Sequence, residues 1–271
     1  MAQHHLRPGA TPFTERTPRV VAARRLRRRR HRDEEGLFLA EGPQAVREAL
    51  AADAVRELFA TAAAIERHPD LTADATAVSE GAIAALAETV APQGLVAVCE
   101  QRAVRLPEAL ACAPRLVAVL AEIRDPGNAG TVLRTADAAG AGAVVFAGDA
   151  VDPYNGKCVR ASAGSLFHVD LVRADDPAGA VAAARAAGLS VLAADGHGET
   201  DLDDLADAGA LARPTAWLFG SEAHGLPASL AAAADARVRV PLHGRAESLN
   251  LAAAAAVCLY ASARALRRPP P

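Results

Sequence analysis

Lysine is almost missing from this 271-residue chain: Lys157 is the single one, and every other basic residue among the 29 is arginine. That bias, with the abundant alanine, follows GC-rich coding and carries little functional weight. Aromatic residues are scarce, at 3%, so a core must be built from Ala, Val and Leu; with 51% hydrophobic residues there is enough material for one. Cysteine is sparse too. Cys99, Cys112, Cys158 and Cys258 lie far apart, none forms a C-x-x-C pair, and no histidine pair completes a zinc pattern. Free buried thiols in a reducing cytoplasm are expected, with no disulfide framework and no metal. No apolar run reaches the roughly 18 residues of a membrane span. The N-terminus lacks the apolar segment of a secretory signal.

What is present begins with charge. The net charge of −3 argues against a uniformly basic surface. The charge is uneven, however: residues 1–32 carry ten arginines against one acid, Glu15. An acidic body with one basic end suits a protein that meets a polyanion at one place.

The length allows one or two domains. Residues 1–14, with Pro8, Gly9 and Pro12, read as a flexible tail. Residues 15–35 read as charged helix, "GLFLAEG" (36–42) as a strand, and "PQAVREALAA" (43–52) as a helix opened by proline. Short alternations continue to "QGLVAVCE" (93–100). The expectation is a small α/β domain over 15–100 and a linker over 101–114, where Pro107 and Pro114 fall. From 115 onward strands alternate with helices: 115–123, 214–219 and 236–242 read as strands and 248–267 as a long, largely apolar helix. That alternation predicts a parallel, doubly covered sheet over 115–271. In such sheets ligands sit at the carboxyl ends of the strands.

Three polar clusters follow strands there. "RDPGNAGTVLRTA" (124–136) offers a turn, Asn128 as a helix cap and Arg134 nearly two turns later. "LFGSEAHGLP" (218–227) sets Gly220, where a backbone can approach a ligand, before Glu222. "VPLHGRAESLNLAAAAA" (240–256) places Ser248 and Asn250 at the mouth of an apolar helix. Each alone reads equally as cap, turn or surface charge. "GAGAVV" and "GHGETD" lack the third glycine of a dinucleotide fingerprint, and "NGKCVR" is no Walker A loop.

In this order and spacing, the three clusters resemble motifs 1, 2 and 3 of the SpoU/TrmH family of the SPOUT class. "VRASAGSLFHV" (159–169) is similar to that family's segment between motifs 1 and 2. "LRRRRHRDEEGLFLAEGPQAVREAL" and "TVAPQGLVAV" resemble the small L30e-like substrate-binding domain of rRNA ribose methyltransferases. The resemblance implies an α/β parallel sheet with a C-terminal trefoil knot, one of the rare exceptions to unknotted connections. It implies a homodimer through the knotted domain. It also implies S-adenosyl-L-methionine as cofactor, held by Leu218, Phe219 and Gly220, by Val240, Pro241 and Leu242, and by Ser248, Leu249 and Asn250. Arg134 is the catalytic residue so implied, with Asn128, Glu222, Ser248 and Asn250 around it.

The implied reaction is methylation of a ribose 2′-hydroxyl in RNA, rRNA of the 23S type in preference to tRNA because of the L30e-like start. A non-catalytic RNA-binding relative is the third reading, and the intact polar set argues against it. A guanidinium is a poor base, so Arg134 suits a phosphate partner better than proton abstraction. Arg24, Arg27, Arg28, Arg29, Arg30 and Arg32 are expected to meet RNA phosphate. Arg160 and Ser162 fit either RNA contact or plain helix surface. His224 and His243 flank two motifs but the implied chemistry does not need them.

Overall fold

The computed structural model describes residues 11–267, and two compact units emerge from it. The first comprises the chain up to Arg102 together with Tyr154–Phe167. Its elements are α1 (Pro18–Arg25), α2 (Arg29–Glu35), β1 (Leu37–Glu41), α3 (Pro43–Ala51), β2 (Val55–Ala60), α4 (Ala62–Arg67), β3 (Thr76–Ala77), α5 (Glu80–Leu86) and β4 (Leu95–Glu100). The strands form a mixed sheet in the order β1-β4-β2-β3, antiparallel except for β2 with β3. Val20 and Ala23 of α1, Leu26 just after it, Ile83 and Leu86 of α5, and Phe59, Val96 and Val98 of the sheet share one core.

The second unit holds β5 (Ala103–Val104), α6 (Leu106–Ala111), β6 (Leu116–Ala121), α7 (Pro126–Ala139) and β7 (Ala143–Ala147). The chain then enters the first unit as α8 (Gly156–Ser162) and returns as β8 (Asp170–Ala174), α9 (Pro177–Ala186), β9 (Ser190–Ala194) and β10 (Thr200–Asp201). Next come α10 (Leu202–Asp207), β11 (Thr215–Phe219), α11 (Ala228–Ala232), β12 (Ala236–Arg239) and α12 (Leu251–Arg267). All eight strands are parallel, in the order β10-β12-β9-β11-β6-β7-β8-β5. β6, β7 and β11 are buried along their whole length, as the unbroken apolar runs foretell. Successive strands β6, β7 and β8 step one way across the sheet, and β9 then starts on the far side of β6. That reversal is a topological switch point, where a crevice opens at the carboxyl ends.

Several expectations need correction. Residues 101–114 are no bare linker: β5 pairs with β8, and Ala109 and Leu110 of α6 join the core under the parallel sheet. The tail reading fails for 11–14, because Phe13 bridges Val78 and its ring lies under the Arg19 guanidinium; residues 1–10 lie outside the described residues. The last strand ends at Arg239, not 242, and the last helix starts at Leu251, not Ser248. Asn250 sets that start, its Oδ1 accepting the N–H of Ala252 at 2.9 Å. Cys99, Cys158 and Cys258 are buried, but Cys112 is exposed. Burial pushes the thiols of Cys99 and Cys258 up to about 12. Among the described residues no helix is long and apolar enough to cross a membrane.

Candidate active site

The carboxyl end of β6 leads into the first polar cluster. Asp125 caps α7 by accepting the N–H of Asn128 at 2.8 Å. Asn128 is therefore no cap itself, and its side chain is free for other partners. Its Nδ2 donates to Glu222 Oε1 at 3.0 Å, and its Oδ1 accepts from Asn250 Nδ2 at 3.1 Å. The polarity is self-consistent. Asn250 Oδ1 is committed to the first turn of α12, so only its amide nitrogen can face Asn128, and Asn128 must then donate to a carboxylate. Glu222 also receives the Arg124 N–H at 3.5 Å. One chain of hydrogen bonds thus joins the ends of β6 and β11 to the start of α12.

Gly220 closes β11 for a steric reason. A Cβ there would lie 2.3 Å from the carbonyl carbon of Gly225 and 2.5 Å from the Leu226 nitrogen. The loop folds back so tightly because Ser221 and Gly225 exchange two backbone hydrogen bonds, of 3.0 and 2.9 Å. Gly225 takes a φ of +66°, which few side chains tolerate.

Beside this network lies a cleft of about 450 Å³. Phe219, Gly220, Val240, Leu242, Ser248, Leu249 and Asn250 line it, as do Asn128 and Glu222. Leu218 does not: its side chain is buried in the sheet core. Pro241 and Arg134 are also not among its lining residues. Arg134 stands on the exposed side of α7, and its side chain makes no hydrogen bond or ion pair with another described residue. Sequence reasoning missed Ala194, Asp195 and Gly196, which form a third wall. They lie at the carboxyl end of β9, so the rule that placed the other clusters would have found them.

The arginine tract divides by environment. Arg24, Arg25, Arg27, Arg28 and His31, with Glu88 as the one acid, surround a cleft of about 610 Å³ in the first unit. Arg29 and Arg30 pair one turn on with Asp33 and Glu34, at 3.4 and 2.7 Å. Arg32 is buried, and its guanidinium donates to the carbonyls of Leu26 and Arg27 at 2.9 and 3.0 Å. It tethers the end of α1 and is withdrawn from any RNA. Ser162 is also withdrawn: it is fully buried and its hydroxyl donates to the Val159 carbonyl at 2.7 Å. Arg160 is partly buried between Glu41 and Glu88, at 3.2 and 3.3 Å. Among the described residues no cluster of three or more His, Cys, Asp or Glu could hold a metal ion.

Comparison with known proteins agrees with this architecture. Residues 115–260 match the SpoU rRNA Methylase family, and residues 17–97 match the MRM3-like substrate binding domain. The chain is 34% identical over 239 residues to the 23S rRNA (guanosine(2553)-2′-O)-methyltransferase RlmP of Bacillus subtilis, covering 88% of this chain and 92% of that one. An AdoMet-bound rRNA methyltransferase from Sinorhizobium meliloti superposes with a TM-score of 0.77 at 32% identity, over 93% of this chain and 96% of that one. The AdoMet complex of the SpoU methyltransferase AviRb from Streptomyces viridochromogenes gives 0.77 and 32%, over 92% and 98%. With a family match across more than half its length and a near full-length relative, this chain belongs to the SpoU rRNA methylase family.

Proposed function

We propose that the protein transfers a methyl group from S-adenosyl-L-methionine to a ribose 2′-hydroxyl of 23S-type rRNA. The observation that carries this is the Glu222–Asn128–Asn250 network, which draws all three post-strand clusters to the edge of one cleft. The cleft suits a nucleoside-containing cofactor. Among the described residues, 241–249 make no backbone–backbone hydrogen bond, so their N–H and C=O groups can meet a ligand. Phe219, Val240, Leu242 and Leu249 give it apolar walls. Ser248 and Asn250 add polar contacts. Leu218 and Pro241 would contribute through the backbone alone.

The bound cofactor supplies a methyl group already activated by a positively charged sulfur. The protein has two tasks left: to place the ribose and to ease loss of its proton. Arg134, unpaired and exposed, binds the RNA phosphate next to the target ribose. The positive charge lowers the cost of developing negative charge on the 2′-oxygen. Asn128 and Asn250 hold the ribose side of the site rigid, and Glu222 fixes the orientation of both amides.

Arg24, Arg27 and Arg28 bind phosphates of the rRNA in the first unit, and Arg25 and His31 complete that basic surface. Arg29 and Arg30 contribute less, being paired already. The second unit forms a homodimer, for which α12 offers exposed Val257 and Tyr260. The 240–250 segment threads into a trefoil knot. Four free cysteines suit the cytoplasm, where rRNA is modified.

The test is methyl transfer from labelled S-adenosyl-L-methionine to purified rRNA and, separately, tRNA, with Arg134→Ala in parallel. Label in rRNA that disappears in the variant is the expected result. Label in tRNA alone would overturn the substrate assignment, and full activity of Arg134→Ala would overturn the mechanism.

A further inference from the structure

The cleft assigned above to S-adenosyl-L-methionine is electrically one-sided. Among the described residues its charged lining side chains are Asp195, Glu222 and Glu247, with no arginine or lysine. The three carboxylates differ in how far they are neutralised. Asp195 Oδ2 lies 3.0 Å from Arg237 Nε, so its charge is paired. Glu222 is held by the neutral Asn128 amide and the Arg124 backbone N–H, which orient it without cancelling its charge. Glu247 is exposed and makes no hydrogen bond or ion pair with another described residue. It sits in the 241–249 stretch, whose backbone is free of internal hydrogen bonds.

We infer that Glu247 is a specificity-determining residue that makes the cleft favour the positively charged methyl donor over the uncharged thioether left after transfer. This rests on the proposed function. Donor and product share adenosine, carboxylate and ammonium groups. They differ in one methyl group and in the positive charge on sulfur. Apolar walls respond to the methyl group but not to the charge, whereas a carboxylate with no competing cation responds to the charge. Glu222 carries the same sign but belongs to the Asn128 network. Glu247 has no structural duty, so its charge can be removed without disturbing other contacts.

The experiment is isothermal titration calorimetry on the full chain, wild type and Glu247→Gln, at low and at high salt. Three probes are used: S-adenosylmethionine, S-adenosylhomocysteine, and sinefungin, in which a carbon bearing a protonated amine replaces the methylated sulfur. Wild type should bind both cationic probes more tightly than S-adenosylhomocysteine. Glu247→Gln should weaken both by about two- to fivefold, the range of an exposed ion pair, and leave S-adenosylhomocysteine unchanged. High salt should shrink the difference. Equal loss for all three probes would mean that Glu247 serves the shared ammonium or the loop's shape, and the inference fails. No loss for any probe, or a wild type without charge preference, overturns it as well. A wild type that binds none of the three would instead remove the cofactor assignment itself, and the inference with it.

Discussion

Asn128 shows how much one residue's chemistry depends on its neighbours. From sequence it is a plausible helix cap, since Asn is favoured there. In the fold Asp125, three positions earlier, takes the cap and frees the Asn128 amide for Glu222 and Asn250. The types needed for the site were thus visible, but not which of two polar residues would be spent on the helix. The same arrangement makes a prediction. Asn128→Asp replaces a donor facing Glu222 with a second carboxylate at near-identical size. Repulsion and a lost charge-assisted hydrogen bond should cost about 1–3 kcal/mol at neutral pH. The expected outcome is a sharp fall in kcat with a smaller change in cofactor affinity, measured by methyl transfer and calorimetry. If kcat holds, the network is not part of the chemistry.

Among the elements, strands were legible where burial is complete and less so where they open into the site. The runs at β6 and β11 leave no choice but a central parallel strand. "RVRVPL" also alternates like a strand, yet pairing stops at Arg239, and Val240 and Leu242 become cleft wall. A similar limit applies to the arginine tract. Ten arginines announce a basic end, but helical spacing assigns them different tasks: Arg29 and Arg30 meet acids at i+4, and Arg32 turns inward. Replacing Arg24 and Arg28 together should therefore weaken rRNA binding more than replacing Arg29 and Arg30. It should also flatten the salt dependence by about one slope unit per lost phosphate contact. Filter binding across a salt series measures both, and equal losses would mean that the helical pairs open on binding. The loop after β11 makes its own prediction. In Gly220→Ala the new methyl meets backbone at 2.3 Å, so the Ser221–Gly225 pair must open, at about 1–3 kcal/mol. In Gly196→Ala the methyl meets nothing within 4 Å. Thermal melts should show a lower Tm for the first and little change for the second.

At the scale of the whole molecule, sequence reading placed one boundary near 101–114, while the chain crosses between units three times, after Arg102, Pro153 and Phe167. The third piece could not have been placed by pattern. Residues 154–167 contain one short α-helix, a single 3-10 turn and no strong periodicity, and their partners are distant in the chain, Arg102 lying 52 residues from Tyr154 and Phe38 farther still. Tyr154 is buried, its hydroxyl accepts the Arg102 N–H at 3.0 Å, and its ring centroid lies 4.8 Å from that of Phe38 on β1. Phe38 also stacks on Phe167 at 6.0 Å, so the two ends of the segment grip one ring. A segment similar to the family's stretch between motifs 1 and 2 thus completes the core of the substrate-binding unit. Tyr154→Ala should remove about 3–5 kcal/mol from that unit. The single tryptophan, Trp217, is buried in the parallel sheet and bonded to Ser262 at 2.8 Å, so its fluorescence reports on the other unit. Hydrogen exchange should therefore accelerate across β1 and β4 in the variant, while the tryptophan transition moves much less. If both shift together by the same amount, the two units unfold as one, and the three crossings make them a single cooperative structure rather than a catalytic domain with an appended one.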